Sequence, residues 1–372
     1  MPASAKPGAP GVSSDCVRLG TTCDLSGPNA YIGMAAFRGY SAYYRYVNGR
    51  GGVHGRQIDL LVEDDAFDPE RTRAATRKLV EEDQVFAIVS PLGTPTNLAV
   101  MDYLLARQVP VVSPHTGASI WALPPKRTYF ALQPNYQVEG RLLAQYAMEL
   151  GARRPAFYAV DDLFGQEGST AFDAELKGAG LEPVARAFHP ARESAPRRWI
   201  EELVAAQPDL VALFTYVKPA ADLLALACRR GFQPRWLGSY VLSGPEIFLL
   251  AGREALEGMV VTAYPLGPRG HRGLTLFEKL LARDPIGAPP GTHSRIGYAA
   301  AQLVVEGLER AGRDLTRDGF IAALESLRDW TGGLLPPISY SPGDRRGLTS
   351  LALRRAKEGN WIVERGLYEL RE

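Results

Sequence analysis

Hydrophobic positions along the chain alternate between short apolar runs and longer segments in which apolar residues have helical spacing. The first such run begins at Val17. The pattern predicts strands at 17–23, 57–63, 86–89 and 109–112, with helices at 33–47, 69–82 and 94–107. Strands that alternate with helices of this length are typical of a parallel sheet with helices on both faces.

The same alternation begins again after residue 137, which predicts a second unit of similar size. It predicts helices at 138–150, 166–179, 197–206 and 219–230, and strands at 156–160, 184–188, 210–214, 235–237 and 259–263. The remainder predicts helices at 274–282, 294–311 and 316–327, late strands at 351–354 and 360–363, and loops at 267–273 and 285–291. We therefore expect an α/β fold of two doubly wound parallel-sheet lobes.

Length and charge narrow the class of protein. The chain has 372 residues, of which 46% are hydrophobic and 22% charged, and its net charge is +1. This length exceeds one ordinary core and favours two domains. A net charge this close to zero creates no strong electrostatic attraction to nucleic acid or to a membrane surface. We see no apolar run of the roughly 18 residues that a membrane span requires.

The N-terminal segment and the cysteines leave alternatives open. Residues 1–16 are rich in Pro, Ala, Gly and Ser, which predicts a flexible tether. Such a tether suits a lipoprotein or an exported protein whose leader has been removed, and also a frayed cytoplasmic terminus with cloning residues. Three cysteines are too few for a disulfide scaffold. Cys16 and Cys23 flank the first predicted strand and would pair only if residues 14–17 fold back.

Loops with small hydroxyl side chains follow two neighbouring predicted strands. Thr94 and Thr96 lie in SPLGTPTNLAV, and His115, Thr116 and Gly117 lie in SPHTGAS. Ligands of open α/β sheets bind at this carboxyl edge, where helix N-terminal N–H groups can hold a carboxylate or a phosphate. Helix capping by Thr94 and an ordinary strand-to-helix turn are the alternative explanations.

Other candidate groups are less specific. Tyr31, in SGPNAYIG, either projects into a cleft or packs on a helix. Acidic pairs end two predicted strands, in LLVEDDAFDPE and FYAVDDLFGQE, and are either cation ligands or surface acids near helix starts. We find no phosphate-loop, GxGxxG, HExxH or GxSxG pattern. We therefore expect neither a cofactor nor a metal, and a protein that is not an enzyme.

Five segments resemble the type I periplasmic solute-binding proteins of branched-chain amino-acid (Leu/Ile/Val) ABC transporters. They are LGTTCDLSGPNAYIG, VNGRGGVHGRQIDLLVEDDAFDPERT, SPLGTPTNLAV, VPVVSPHTGAS and DDLFGQEG, in that order. The segment GLERAGRDLTRDGFIAALESL resembles a later helical part of the same family. The resemblance extends from about residue 11 to the C-terminus.

The resemblance implies two lobes joined by three crossings that close on a ligand like a hinge. Lobe 1 would comprise residues 17–134 and 266–336, and lobe 2 residues 135–265 and 337–372. The crossings are expected near Gln133–Tyr136, Tyr264–Leu266 and Pro336–Ser341.

The resemblance also suggests roles for the loop residues. Thr94, Thr116 and nearby backbone N–H groups would hold the carboxylate of the ligand, the carbonyl of His115 would accept its ammonium, and Phe164 would cover it. The candidate ligand-binding residues are Tyr31, Gly93, Thr94, Thr96, His115, Thr116, Gly117, Tyr136, Phe164, Tyr216 and Tyr240. The four aromatic residues from Tyr136 onward suit an aromatic ligand body, and are alternatively hinge and core residues.

The chain departs from the family pattern at the position that would pair with the ammonium group of an amino-acid ligand. Amino-acid binders of this family have an acid after the strand that corresponds to 235–237, whereas this chain has WLGSYVLSG, with Ser239 and Tyr240. A buried ammonium without a counter-charge costs several kcal/mol. Either Asp161 or Glu139 supplies the charge, or the ligand is an aromatic or aliphatic carboxylate, or an amide, without an ammonium.

The resemblance implies partners and a location as well. We expect an importer component that binds a hydrophobic amino acid or an aromatic or aliphatic acid. It would dock on a membrane permease, act as a monomer without nucleic acid, and be periplasmic or extracellular. A ligand sensor of the same fold that regulates a partner is the alternative, and genome neighbours distinguish the two. An enzyme on this scaffold would instead show turnover that depends on Ser26, Cys23 or His115.

Overall fold

The computed structural model describes residues 9–191, 196–265, 272–283 and 291–368. Its contacts divide the chain into two units. The first comprises the described parts of Met1–Thr116, Ile120–Gln133 and Gly267–Leu348, and the second those of Gly117–Ser119, Pro134–Leu266 and Thr349–Glu372. Each unit is described by itself below.

The strands follow the predicted order, with one addition. They are β1 (Cys16–Cys23), β2 (Gln57–Asp64), β3 (Ala87–Val89), β4 (Val111–Val112), β5 (Tyr129–Phe130), β6 (Pro155–Val160), β7 (Ala185–His189), β8 (Leu210–Phe214), β9 (Arg235–Gly238), β10 (Val260–Ala263), β11 (Leu351–Lys357) and β12 (Asn360–Tyr368). The two-residue strand β5 was not predicted, because so short a run has no periodicity of its own.

The helices also follow the predicted order. They are α1 (Ala30–Asn48), α2 (Pro69–Arg77), α3 (Thr94–Ala106), α4 (Tyr136–Glu149), α5 (Leu163–Gly178), α6 (Arg197–Ala206), α7 (Val217–Arg229), α8 (Glu246–Ala251), α9 (Arg253–Leu256), α10 (Arg272–Leu281), α11 (Thr292–Ala311) and α12 (Arg317–Glu325). A π-turn, Lys78–Glu82, extends α2, and 3₁₀ turns lie at Ser119–Trp121 and Tyr240–Leu242. The short helices α8 and α9 were not predicted. None of the described helices has the length and apolarity needed to cross a membrane.

Each unit contains one sheet with a parallel core, as predicted. The first unit has the order β2-β1-β3-β4-β5, in which all neighbours are parallel. The second has the order β12-β11-β10-β9-β8-β6-β7, with β6 to β10 parallel and the hairpin β11–β12 antiparallel at one edge. Central strands such as β3 and β8 are buried along their whole length, which explains their uninterrupted apolar sequences.

The N-terminal segment begins to pack before β1. Residues 1–8 lie outside the described residues, but Val12 forms a bridge with Val17, and Arg18 donates its N–H to the carbonyl of Gly11 at 2.7 Å. Gly11 has φ +70°, and a Cβ there would lie 2.6 Å from the backbone nitrogen of Phe86. A side chain at this position would therefore clash, and the segment from residue 9 is not the tether that composition predicts.

The segment 337–348 groups with the first unit, whereas we expected it in lobe 2. Ile338 pairs with Trp330, and Leu348 donates its N–H to the carbonyl of Leu132 at 2.9 Å. Arg345 lies over the ring of Phe130, 4.4 Å from its centroid. The unit boundary thus falls at 348/349 rather than near 336–341. Residues 117–119, expected in lobe 1, group with the second unit.

Parts of two predicted loops and one predicted crossing cannot be compared with the structure. Residues 267–271 of the first loop, 285–290 of the second, and Leu266 of the second crossing lie outside the described residues. Arg272 and Gly273, which we placed in the first loop, instead begin α10.

Candidate functional site

Three loops meet at the carboxyl edge of the first unit's sheet, where the strand order reverses between β1 and β3. Leu92, after β3, forms a parallel bridge with His115, after β4. His115 donates its N–H to Pro91 at 2.8 Å, and its carbonyl accepts the N–H of Gly93 at 3.3 Å. The N–H of Leu92 reaches the carbonyl of Thr22, near the end of β1, at 3.0 Å. A reversal of strand order at this edge is where open α/β sheets bind ligands.

The hydroxyl groups of Thr94 and Thr116 meet in this loop cluster. Their Oγ1 atoms are 2.7 Å apart, and both residues are buried. Gly93 is the N-cap of α3 and Thr94 its first helical residue, so the hydroxyl of Thr94 does not cap the helix. Hydroxyl groups both donate and accept hydrogen bonds. The pair therefore places hydroxyl donors at the N-terminus of α3, a position that favours anions.

The neighbouring polar side chains instead hold the loop itself. The hydroxyl of Thr96 donates to the carbonyl of Leu92. The amide of Asn97 donates to Pro91 at 3.0 Å and to Gly93 at 2.6 Å. Gly93 has φ +100°, and a Cβ there would lie 2.4 Å from a ring carbon of Phe67. Thr96 is thus one of the residues that shape the loop, and glycine is required at position 93.

His115 pairs with a histidine that sequence reasoning did not identify as a candidate. Its Nε2 lies 3.3 Å from Nδ1 of His293 in α11, and both residues are buried. Burial, with a smaller contribution from His293, lowers the pKa of His115 well below its usual value. The side chain of His115 is therefore neutral at pH 7 and provides no positive charge for a carboxylate.

In the second unit, Gly117 is closely enclosed. Its carbonyl accepts the N–H of Tyr136 at 2.9 Å. A Cβ on Gly117 would lie 2.0 Å from the hydroxyl of Tyr240, which itself donates to the carbonyl of Pro134 at 3.2 Å. Glycine is therefore needed at position 117 because a phenol packs directly against the backbone.

The predicted aromatic residues of the second unit form one buried cluster. The ring of Tyr136 lies 4.5 Å from that of Phe164 and 5.8 Å from that of Tyr240, centroid to centroid. Phe164 lies 5.6 Å from Tyr216, and Tyr240 lies 4.9 Å from Tyr264. The structure thus brings these candidates together and adds Tyr264. Each of these rings packs on another ring, which is what we expect of core residues.

Glu139 is bound to the segment that lacks the family's acid. Its carboxylate accepts hydrogen bonds from the Ser239 hydroxyl at 2.9 Å, from the Tyr240 N–H at 2.7 Å, and from the Thr262 hydroxyl. Burial raises the pKa of Glu139 to about 7, although these hydrogen bonds lower it. Three donors already occupy this carboxylate, so it is a poor counter-ion for a ligand.

The two acids after β6 have different roles. Asp161 accepts a 2.8 Å hydrogen bond from the side chain of Gln166 and is exposed. Asp162 is the N-cap of α5 and accepts the N–H of Phe164 at 2.9 Å. It also accepts the hydroxyl of Tyr216 at 2.6 Å. Asp162, for which cation binding and a surface position near a helix start were the alternatives, caps the helix and positions two of the aromatic candidates.

The acids that end β2 also hold loops. Asp64 accepts the N–H of Leu25 at 2.9 Å and the hydroxyl of Ser26 at 2.5 Å. Asp65 accepts the hydroxyl of Thr72 at 2.9 Å, and burial raises its pKa to about 6. Within the described part of the chain, no three His, Cys, Asp or Glu side chains are arranged to hold a metal ion.

Two further candidates have simple local environments. Tyr31 is half-buried, and its hydroxyl donates to the side-chain oxygen of Asn29 at 3.3 Å. Cys16 and Cys23 are free thiols at opposite ends of β1. Residues 13–16 do turn back, since Ser13 donates its N–H to the carbonyl of Cys16 at 2.9 Å. Cys16 nevertheless begins the extended strand that Cys23 ends, so the two sulfur atoms do not meet.

Sequence reasoning missed several residues that hold the loops. His293 approaches His115 across 178 positions of sequence, and Glu167 accepts both the N–H and the hydroxyl of Ser119, at 2.8 and 2.6 Å. Each is a single polar residue within an ordinary helix. No motif or spacing in the sequence distinguishes them from surface residues.

A family model described as periplasmic binding protein matches residues 16–360, which is most of the chain. The chain belongs to the periplasmic binding protein family. The resemblance inferred from the motifs is thereby confirmed. The family consists of binding proteins, so the prediction that the chain is not an enzyme is confirmed as well.

Comparison with individual members of the periplasmic binding protein family agrees. A leucine-, isoleucine-, valine-, threonine- and alanine-binding protein of Pseudomonas aeruginosa is 22% identical over 302 residues, covering 81% of this chain and 80% of that protein. A fatty acid ABC transporter substrate-binding protein from Thermomonospora curvata has a TM-score of 0.90 at 22% identity, covering 100% of this chain and 96% of that one. An ABC transporter solute-binding protein of R. palustris in complex with benzoate has a TM-score of 0.84 at 18% identity, covering 96% and 98%. The structural matches show the type I fold.

Proposed function

We propose that this chain is the extracytoplasmic binding component of an ABC importer and that its ligand is a small apolar carboxylate without an ammonium group. The observation that supports this most directly is the buried hydroxyl pair of Thr94 and Thr116, 2.7 Å apart, at the reversal of strand order. A ligand carboxylate would accept hydrogen bonds from these hydroxyls and from the backbone N–H groups that begin α3.

The hydroxyl pair suits a carboxylate for an electrostatic reason. Hydroxyl and N–H donors, together with the positive end of the α3 dipole, favour a negative group. The side chain of His115, which adjoins Thr116 in the sequence, has a lowered pKa and stays neutral. A carboxylate would thus be held by dipoles and hydrogen bonds rather than by an ion pair.

The two acids that could pair with an ammonium group are already hydrogen-bonded within the protein, which favours a ligand without that group. We named Glu139 and Asp161 as substitutes for the missing acid. Glu139 already accepts three hydrogen bonds, and Asp161 is an exposed side chain bound to Gln166. An ammonium without a buried counter-charge would cost several kcal/mol. The names of the fatty acid and benzoate proteins show that relatives of this fold bind carboxylates of this kind.

The aromatic cluster of the second unit is proposed as the source of aromatic contacts. Tyr136, Phe164, Tyr216 and Tyr240 are held by one another and by Asp162. Rings fixed in this way lose little conformational entropy when they contact an apolar body. Substitution of Tyr216 by Phe, which keeps the ring and removes the bond to Asp162, separates ring contact from ring positioning.

A thermal-shift titration of the purified protein tests the ligand class. We expect benzoate or 4-methylpentanoate to raise the melting temperature, because a ligand at 100 times its dissociation constant stabilises by about 2.7 kcal/mol. Leucine and phenylalanine, and the amide of each active acid, should produce no shift. A shift with leucine and none with 4-methylpentanoate would show that an ammonium partner exists.

A matched pair of variants tests the site. T94V replaces the hydroxyl by a methyl group of similar size and should reduce the shift to about half, since a tenfold weaker ligand at the same concentration stabilises by about 1.4 kcal/mol, whereas T94S keeps the hydroxyl and should retain the shift. T275V, at an exposed threonine of α10, is the control. An unchanged shift in T94V would remove Thr94 from the site.

The importer role needs a test in cells. We expect a permease as the membrane partner, a monomeric binding protein, and a location outside the cytoplasm. Deletion of the chain should abolish high-affinity uptake of the radiolabelled ligand, and the T94S gene should restore it while the T94V gene should not. Uptake that persists, with altered expression of other genes, would indicate a sensor instead.

A further inference from the structure

A cavity lies in the first unit, formed by residues outside the loops that contain Thr94 and Thr116. Its volume is about 340 Å³, and it is formed by the C-terminal part of α1, the turn that follows it, and the end of α10. This volume lies at the lower end of the range of about 300–1,000 Å³ for small-molecule sites. It exceeds what a few water molecules need, since one water takes roughly 30 Å³ of liquid volume.

Three arginines converge on this cavity. Arg45 is in the last turn of α1, Arg50 is in the turn after it, and Arg283 follows α10. All three are exposed. Among the described residues, no acidic side chain lines the cavity. The cavity therefore concentrates positive charge in a protein whose net charge is only +1.

Some other arginines on the surface of the described residues are ion-paired. Arg107, Arg186 and Arg310, for example, each form an ion pair with an acid at 2.9 Å or less. In the described part of the chain, Arg45, Arg50 and Arg283 have no carboxylate within ion-pair distance. Their guanidinium groups therefore retain donors for an external anion.

Other residues that line the cavity are apolar or aromatic. Ala42, Leu280 and the ring of Tyr46 line it. The guanidinium carbon of Arg50 lies 5.3 Å from the centroid of the Tyr46 ring, a cation–π distance that orients the planar group beside the cavity. The site thus combines three guanidinium groups with a small apolar surface in one cavity.

From this combination we infer that the cavity binds a phosphate group, either of a small phosphorylated molecule or of a phospholipid headgroup. Guanidinium forks match the geometry of phosphate oxygens and donate to them in pairs. A phosphate monoester has about −1.5 to −2 charges at pH 7, which three guanidinium groups can offset. The apolar lining residues would contact the carbon atoms next to the phosphate.

A structural explanation for the arginines makes a different prediction. Cations near a helix C-terminus interact favourably with the helix dipole, and both α1 and α10 end at this cavity. If this is their only role, replacing the arginines would lower the free energy of unfolding and leave no binding to lose.

Calorimetric titration of the full chain with inorganic phosphate and with phenyl phosphate tests the proposal. Sedimentation with phosphatidylglycerol vesicles, against phosphatidylcholine vesicles, tests the lipid source. We expect saturable binding of phenyl phosphate or of the anionic vesicles, and substitution R45Q/R50Q/R283Q should weaken it by about tenfold or more. Binding of phenyl phosphate indicates a soluble ligand, and binding of the vesicles alone indicates a headgroup.

A matched control variant distinguishes binding at this cavity from nonspecific attraction of anions to the positive charge of the protein. R153Q/R229Q/R313Q removes the same charge from three exposed arginines elsewhere and should bind as the wild type does. Equal weakening in both triple variants, or no saturable binding of any probe, would overturn the proposal. Circular dichroism and the carboxylate thermal shift should be unchanged in both variants, so that unfolding or loss of the proposed carboxylate site is recognised separately.

Discussion

The carboxylate of Glu139 accepts a 2.9 Å hydrogen bond from the hydroxyl of Ser239, one hundred residues further along the chain. The same carboxylate accepts the N–H of Tyr240 and the hydroxyl of Thr262. One buried side chain of α4 thereby holds the segment after β9 and the strand β10. This segment is the one in which relatives that bind amino acids are expected to have an acid.

Removal of this carboxylate should destabilise the protein. In E139A, three buried donors lose their acceptor, and we expect a loss of about 3 kcal/mol in the free energy of unfolding, at about 1 kcal/mol each. E139Q keeps an acceptor oxygen and should lose less. Urea unfolding of both variants and the wild type measures this. Equal stability of E139A and the wild type would show that water replaces the carboxylate.

Stability should fall as the pH rises through the titration of Glu139. Its folded pKa of about 7 lies above the unfolded value of 4.5, so the folded state binds the proton more tightly. The resulting stabilisation is complete below pH 4.5 and is lost by about pH 7, a change of about 3 kcal/mol at most. Asp65, with a pKa raised to about 6, acts in the same direction.

Unfolding free energies of the wild type and E139Q between pH 4.5 and 8 isolate this contribution. The difference between the two curves should vary across this range, whereas E182Q, at an exposed glutamate, should follow the wild type. A pH-independent difference between E139Q and the wild type would mean that Glu139 does not titrate in this range.

His115 should have the opposite effect at acid pH. Burial lowers its folded pKa well below the usual value, so the folded state favours the neutral ring. The stabilisation is present above pH 6.5, the unfolded pKa, and is lost as the pH falls from there toward the folded pKa. H115Q should reduce the acid sensitivity of unfolding, and H54Q, at an exposed histidine, should not. Identical acid sensitivity of H115Q and the wild type would contradict this.

The hydroxyls of Thr94 and Thr116 should act together in ligand binding. If both donate to one carboxylate, T94V and T116V should each weaken binding by about tenfold, and the double variant by less than the product. Calorimetric titration of the active carboxylate with the four proteins gives the coupling energy. Strictly additive losses would indicate that the two hydroxyls contact different parts of the ligand or none.

Gly117 should tolerate no side chain while Tyr240 is present. The Cβ of G117A would lie 2.0 Å from the hydroxyl of Tyr240 and 2.6 Å from the carbonyl of Pro134, so we expect a loss of about 2 kcal/mol or more. Y240F removes the nearer atom, and G117A/Y240F should be more stable than the sum of the single losses predicts. Full additivity in urea unfolding would mean that the carbonyl contact alone determines the cost.

Much of the fold was accessible from local patterns. Apolar runs such as 210–214 and helical segments such as 94–107 lie within a residue or two of the observed elements. The loops with hydroxyl residues were located because they follow adjacent strands, which places Thr94 near Thr116 in any parallel sheet. Capping was harder to predict: Gly93, not Thr94, caps α3, and Asp162 caps α5.

By itself, the sequence determined the alternation of strands and helices, the two successive units and the loops at the carboxyl edge, because burial on one or both faces imposes a periodicity that is visible in neighbouring residues. Only the tertiary structure decided that Glu139 binds Ser239, that His293 meets His115, and that residues 337–348 join the first unit. Each of these depends on a few polar or backbone contacts between distant segments. Single residues of these types occur in any helix or loop, so their partners are chosen by the packing of the whole unit rather than by a local pattern.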